Sequence, residues 1–290
     1  MTEEATNQRA QAIVGEWPAR PGLRILAALA GGAEGAAFRV AGPSGEIFVL
    51  KIGDPGRIAG EARALTALAG PALVRLVDRW ASEGALLIED ITPGGQLARE
   101  EDEDVARRAL HAVLAGLGRV SDCTGFPTLS QWLQALDPFE VRLREAADPH
   151  AGVVARAMVL RQQLLASAPP ARLLHGDLHD QNMLSRRDGL FIAVDPKGVA
   201  GDPAYEPACF LMNRWQRRRG LSAAEMRREA RLTAVGAALS PDRVWDWAFV
   251  HTALSLAWSA EDSGLLPAAY SGDGPTARGS DGQTKLAGVV

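Results

Sequence analysis

The stretch His175-Gly176-Asp177-Leu178-His179-Asp180-Gln181-Asn182, followed by Val194-Asp195-Pro196-Lys197-Gly198, decides how the chain is read. Asp177 and Asn182 lie five residues apart, and Asp195 follows Asn182 by thirteen, at the end of the apolar run Phe191 to Val194. A carboxylate, an amide and a second carboxylate at this spacing, with a hairpin between them, supply most of what phosphoryl transfer asks for. That reaction needs a base beside the attacking hydroxyl, oxygen ligands for Mg²⁺ and a cation on the nucleotide phosphates. The cation is sought upstream. Lys51 falls in the apolar strand Glu46 to Ile52, and Glu61 stands ten residues on, placed to hold it in an ion pair.

Outward from these residues, the first ninety positions read as strands around one helix. Leu23 to Ala30 is a β-like run that Gly31, Gly32 and Gly35 break, where backbone N–H groups could cover phosphates. Ala36 to Val40 and Glu46 to Ile52 flank the turn residues Gly42, Pro43, Ser44 and Gly45 and predict a hairpin. Arg57 to Ala69 carries Ile58, Ala62, Leu65 and Leu68 at helical spacing, and Gly70-Pro71 stops it. Val74 to Trp80 and Ala85 to Ile88 complete five strands. Glu89-Asp90-Ile91 then joins the halves, with the backbone of Glu89 and Ile91 a candidate edge for adenine. Beyond Ile91 helix dominates: Asp102 to Leu117, Leu129 to Leu136, Val141 to Ala147, Val153 to Ala166, Ala223 to Ala238 and Arg243 to Ala260. A β-like island sits between Arg172 and Asp202. The expected organisation is α+β and bilobal. A nucleotide-binding lobe spans 1–90, a helical lobe with the catalytic loop and acceptor site spans 91–270, and 271–290, rich in Gly, Ser and Asp, is a loose tail.

Composition narrows the function. The net charge of −4 over 290 residues argues against nucleic acid as a partner, because phosphate backbones call for a basic surface. Cys123 and Cys209 form no CxxC pair, which excludes a disulfide framework and a cysteine zinc site. The start MTEEATNQRA is polar and acidic, so no signal peptide is expected and the cytoplasm is the expected location. The most apolar late stretch, Ala248 to Ala260, is too short to span a bilayer and reads as a buried helix. Of 31 basic residues only Lys51, Lys197 and Lys285 are lysine. In so arginine-rich a chain, a lysine points to a site that wants a compact point charge.

Together these residues make the chain resemble the aminoglycoside phosphotransferase branch of the protein-kinase-like fold. The block Asp195-Pro-Lys-Gly-Val-Ala-Gly-Asp-Pro-Ala-Tyr-Glu206 is similar to the aminoglycoside/hydroxyurea resistance kinases, the family that contains streptomycin 6-phosphotransferases. The resemblance runs from about Trp17 to Trp258, with its specific motifs in 172–210. It implies an ATP- and Mg²⁺-dependent enzyme that phosphorylates a hydroxyl of a small molecule, streptomycin or a related aminoglycoside first among them. Asp177 matches the catalytic base, Asn182 and Asp195 the Mg²⁺ ligands, and Lys51 the phosphate lysine with Glu61 its partner. Gln181 stands where the family usually has glycine. If that position needs a positive φ, glutamine bears about 1 kcal/mol of strain there.

Other readings stay beside this one. The same chemistry suits hydroxyurea, a sugar or another metabolite, and a non-catalytic nucleotide-binding pseudokinase is the alternative from another class. His175 and His179 with the neighbouring Asp177 and Asp180 suggest a zinc hydrolase, but Gly176 argues against the helix that would face both imidazoles to one metal. His175 reads better as a brace for the loop. His179 and Lys197 are candidate contacts for the transferred phosphate or the acceptor. Asp202 and Glu206 read either as contacts for a cationic acceptor or as the start of a helix. The acidic run Glu100 to Asp104 and the basic cluster Arg214, Arg217, Arg218 and Arg219 read as solvated faces. Trp132, Trp215, Trp245, Trp247 and Trp258 read as core.

The lysine bias yields a first prediction. Lys51→Arg is expected to lower kcat/KM about as severely as Lys51→Ala, by about 100-fold or more, since a broad planar cation does not replace a point charge beneath a close glycine loop. Steady-state kinetics checks it, and an active Lys51→Arg enzyme would make the lysine an accident of composition.

Overall fold

The computed structural model describes residues 3–29, 35–218 and 220–262. Gly31, Gly32 and the segment 271–290 lie outside the described residues, as does Arg219.

Strands β1 (Arg24–Leu29), β2 (Gly35–Ala41), β3 (Ile47–Gly53), β4 (Leu76–Trp80) and β5 (Ala85–Glu89) form one antiparallel sheet in the order β1-β2-β3-β5-β4. The alternation of β3 separates core from site. Phe48, Leu50 and Ile52 point to one face and are buried, while Val49 and Lys51 point to the other. Helix α2 (Pro55–Ala67) begins at Asp54, whose carboxylate caps Arg57 N at 3.1 Å. The opposite face carries a helix that the sequence pattern does not announce, α1 (Glu3–Glu16). Its Ala10, Ile13 and Val14 join Trp17, Phe38, Phe48, Leu50 and Leu87 in a separate small core. So short an apolar stripe in a polar stretch gives little periodicity to read.

The larger lobe begins with β6 (Pro93–Gln96). Helices α3 (Glu103–Gly116), α4 (Leu129–Trp132), α5 (Leu136–Glu145) and α6 (Ala151–Ala166) lead to β7 (Arg172–Leu174), β8 (Met183–Arg186), β9 (Phe191–Ala193) and β10 (Val199–Gly201). The β-island of the sequence is therefore two small sheets. β7 pairs with β10, and β8 lies between β6 and β9. Helices α7 (Tyr205–Arg217), α8 (Ala223–Gly236) and α9 (Pro241–Asp262) close the lobe. α9 contains the expected buried run, with Trp247, Val250, Leu254 and Trp258 in the main core beside Trp132, Trp215 and Trp245. Helix α7 follows the reading of Asp202 and Glu206 as the start of a helix, while its far end, where Arg214 and its neighbours suggest a solvated face, is not read from the sequence. Among the described residues no helix is long and apolar enough to cross a membrane.

The lobes meet tightly behind the end of α2. Gly118 N donates to Leu68 O at 3.0 Å, and a Cβ on Gly70 would stand 2.2 Å from Gly116 O. Gly116 O is a backbone atom and a Cβ has no torsion of its own, so neither can rotate away. Gly70→Ala is expected to lower the unfolding free energy by about 1–3 kcal/mol, the ordinary cost of overpacking. Urea denaturation measures this, and a neutral Gly70→Ala would mean that the α2–α3 seam yields.

Candidate active site

Lys51 is the centre of the site. It extends from the α2 side of the sheet, where β3 pairs with β5 through Leu86, and its Nζ lies 2.6 and 2.7 Å from the two oxygens of Glu61 on α2. Its third short contact, 2.6 Å, is Asp195 Oδ1 from the other lobe. Three acceptors match the three N–H donors of an ammonium. Lys197 completes the group at 3.0 Å from Asp195 Oδ2, so one carboxylate is held between two lysines. Burial opposes ionisation of Asp195, but Lys51 and Lys197 outweigh it and hold the carboxyl well below the usual carboxylate range. Burial also disfavours the Lys51 ammonium, yet Asp195 and Glu61 carry its pKa above the ordinary value. Glu61 is pushed up by burial, against the pull of Lys51.

Asp195 stands at φ +66°, in the left-handed region that costs a non-glycine residue about 1–2 kcal/mol. The two lysines are the visible restraint on it. Gln181, by contrast, is not among the described residues with positive φ. It sits in a 3-10 turn, Asp180–Asn182, whose start His179 accepts from Gln181 N through Nδ1 at 3.2 Å. Glutamine is therefore unstrained at this position, and the strain that the sequence suggests does not arise.

The loop 175–182 forms a second cluster. Asn182 Nδ2 donates to Asp177 O at 3.0 Å and approaches Asp177 Oδ2 at 3.4 Å, while His179 Nε2 lies 3.7 Å from Asp177 Oδ1. His175 stitches the two clusters together. Its Nδ1 accepts from Asp177 N at 3.3 Å and its Nε2 faces Val194 O at 3.0 Å, while Lys197 N donates to its carbonyl at 2.7 Å. Val194 N in turn donates to Asn182 O at 2.9 Å. These contacts assign His175 one acceptor nitrogen and one donor, a neutral ring. Burial lowers its pKa to about 4.

Two candidate acceptor contacts are corrected. Glu206, in the first turn of α7, is only 3% exposed, and its oxygens accept from His175 N at 3.1 Å and Gly176 N at 2.8 Å. Asp202 is 2% exposed and accepts from Trp247 Nε1 at 2.6 Å, from Ala204 N at 3.0 Å and from Arg243. Glu206 holds the loop backbone, and Asp202 ties the start of α7 to α9. In the basic cluster Arg214 alone is corrected, since Arg217 and Arg218 keep partly exposed side chains. Arg214 is buried, on Glu103 and Asp180, and Arg217 also reaches Asp180. Asp180, to which the sequence pattern assigns no role, is fully buried. Its one sequence signal is its place inside the loop.

At the phosphate and adenine positions the placement is partial. Gly35 opens β2 so close to β3 that a Cβ would meet Ile52 O at 2.5 Å, which accounts for a glycine there. Glu89 ends β5 and donates its N–H to Arg75 O at 3.1 Å, leaving its carbonyl as the backbone group to consider for adenine. Ile91 is buried next to Asp90, which Arg39 and Thr92 hold. Among the described residues no group of three His, Cys, Asp or Glu could hold a metal, so the zinc reading finds no ligand set.

The two buried groups beneath the loop predict opposing pH effects. The unfolded chain takes up the His175 proton near pH 6.5 and the folded chain only near 4, so this group removes stability as pH falls through that window. Burial raises Glu206 to about 7 from its ordinary 4.5, against its two N–H partners, so Glu206 removes stability as pH rises from 4.5 to 7. The two roughly cancel in the parent. His175→Asn should therefore gain about 2–3 kcal/mol relative to the parent between pH 7 and pH 4.5. Urea unfolding at the two pH values checks it, and parallel curves for the two proteins would refute the assignment.

Known proteins share this arrangement of lobes. A family model described as aminoglycoside/hydroxyurea antibiotic resistance kinase matches residues 27–263. A streptomycin 3''-kinase of Klebsiella pneumoniae is 34% identical over 194 residues, covering 62% of this chain and 68% of the relative. A hydroxyurea phosphotransferase of Kitasatospora aureofaciens is 30% identical over 258 residues, 86% and 73% of the two chains. Among solved structures, the aminoglycoside phosphotransferase APH(4)-Ia superposes with a TM-score of 0.60 at 18% identity, covering 90% of this chain and 94% of that one, a likeness of fold. With its bilobal α+β architecture and a family match across both lobes, this chain belongs to the aminoglycoside/hydroxyurea antibiotic resistance kinases.

Proposed function

We propose that the chain transfers the γ-phosphoryl group of ATP to a hydroxyl of a small molecule, with streptomycin or a related aminoglycoside as the first acceptor to test. The observation that carries this reading is the ion-paired set of Lys51, Glu61, Asp195 and Lys197, hydrogen-bonded through His175 to the loop of Asp177 and Asn182. The lobe boundary proposed for this function lies near residue 90, where Asp90 is pinned.

The donor set fits Mg²⁺. Asn182 turns its amide nitrogen to Asp177, which leaves the carbonyl oxygen for a cation, and Asp195 is a carboxylate kept ionised. Both are hard oxygen donors. Bound there, Mg²⁺ would neutralise phosphate charge. The protein's own part is placement. Lys51 would fix the α/β-phosphates, exchanging its Asp195 contact for phosphate oxygens while Glu61 keeps it in line. Asp177 would orient the acceptor hydroxyl and take its proton. His179 and Lys197 are the nearest further groups for the transferred phosphoryl, since each already faces one of the two aspartates. A cationic acceptor must find its carboxylates elsewhere than Asp202 and Glu206.

The relatives divide between streptomycin and hydroxyurea, so the acceptor is read by experiment. An ATP-consumption screen over streptomycin, other aminoglycosides, hydroxyurea and sugars, with mass detection of product, is expected to give a phosphorylated aminoglycoside. Turnover with hydroxyurea or a sugar alone would keep the kinase and discard the antibiotic. Asp177→Asn is expected to lower kcat by about 10²–10⁴-fold, the usual worth of a positioned base, with its melting temperature retained. Near-parental turnover in that variant would remove Asp177 from the chemistry and leave the pseudokinase reading standing.

A further inference from the structure

Helix α7 holds the catalytic loop on both sides of Asp177. Its first turn does so through Glu206, which takes the N–H groups of His175 and Gly176. Its last turns do so through arginine. Arg214, 4% exposed, donates from Nη1 to Asp180 Oδ2 at 3.0 Å. The same guanidinium reaches the start of α3. Nε donates to Glu103 Oε2 at 3.0 Å, and Nη2 donates to Glu103 Oε1 at 2.7 Å and to Glu100 O at 3.0 Å. One planar cation thus joins the catalytic loop, α7 and the segment that enters the helical lobe. Its fork geometry is what allows three simultaneous partners, which an ammonium on a lysine stem does not reproduce.

Asp180 stands between the two residues that matter to the reaction, three after Asp177 and two before Asn182. Its side chain is wholly buried, and its Oδ1 has no hydrogen-bond partner among the described residues. A buried carboxylate with one oxygen unsatisfied is costly for stability alone, and an apolar pair would serve packing better. What the arrangement does achieve is position. The turn from Asp180 to Asn182 is short, so fixing Asp180 fixes the direction from which the Asn182 amide meets Asp177. Gln96 Nε2, donating to Gln181 O at 3.2 Å, restrains the same turn from β6.

We infer that Arg214 is a positioning residue for the transfer: through Asp180 it sets the register of the catalytic loop between Asp177 and Asn182, using the start of α3 as its anchor. The inference rests on the phosphotransferase reading of Asp177 and Asn182. It adds to that reading a residue two elements away that touches neither nucleotide nor acceptor.

The test is Arg214→Lys in the full chain, which keeps the buried charge and loses the fork. Its two readouts are steady-state kinetics and hydrogen exchange by mass spectrometry. The expected result is a kcat lowered by about tenfold or more with KM for ATP within about twofold, since misplacement of reacting groups strikes turnover. Exchange should quicken in residues 176–183, where Asn182 N–H is bonded to His179 O and His179 N–H to Asp177 O, and stay unchanged in α9 and the five-stranded sheet. If Arg214→Lys does not fold, Asp180→Asn, isosteric and still an acceptor for Arg214, carries the same comparison with a smaller effect in the same direction. Parental turnover and parental loop exchange would overturn the inference. So would exchange that rises equally in the loop, α9 and the sheet, because the role would then be general stability. Should the parent phosphorylate no acceptor at all, the functional reading falls by that result, and the loop exchange of Arg214→Lys still decides whether Arg214 sets the loop.

Discussion

The salt link from Lys51 to Asp195 is the interaction on which the rest depends. It spans 144 residues of sequence and links the two lobes, and it is made at 2.6 Å by two side chains whose charges burial opposes. Such a pair is stable only when every remaining donor and lone pair is occupied. Glu61 and Lys197 do that, one from each lobe. The alternation of β3, the rotation of α2 and the left-handed turn at Asp195 can all be understood as serving this one contact. A one-residue slip of β3 would turn Lys51 into the small core and Ile52 into the site.

Beneath the site the logic changes from charge pairing to suspension. The loop that bears Asp177 packs Leu178 into the main core and is tied on both sides of it by carboxylates, Glu206 at its entry and Asp180 at its exit. A loop held this way can carry a polar constellation because its support is distributed over α3 and α7 rather than local. Burial has a cost on both sides of neutrality here: His175 withdraws stability as pH falls and Glu206 as it rises.

How much of this the sequence reveals varies with the kind of interaction. Asp177, Asn182 and Asp195 are legible because loop spacing alone constrains them, and Lys51 with Glu61 because a strand end and a helix face lie a short, fixed distance apart. Lys197 is legible as a lysine in an arginine-rich chain. Helix α1 is not, since its buried face is a few residues within a polar stretch. Asp202 and Glu206 are legible as polar residues with a task, yet nothing local reveals whether a carboxylate faces a ligand or a backbone N–H. Arg214 misleads most. Four arginines within six positions look like a solvated face, and the partner that buries one of them stands 34 residues away in the loop. Long-range pairing of this kind is decided by tertiary packing, which periodicity does not encode.

Lysine scarcity has a consequence for covalent chemistry. Two of the chain's three lysines flank the same carboxylate, so an amine-seeking electrophile carried on a nucleotide would meet almost no competing target elsewhere on the protein. In the free state Lys51 is held as an ammonium by Asp195 and Glu61 and is a poor nucleophile. Its reactivity would therefore report whether the carboxylate has been drawn away, and the rate of acylation at Lys51 becomes a built-in indicator of how the site is loaded.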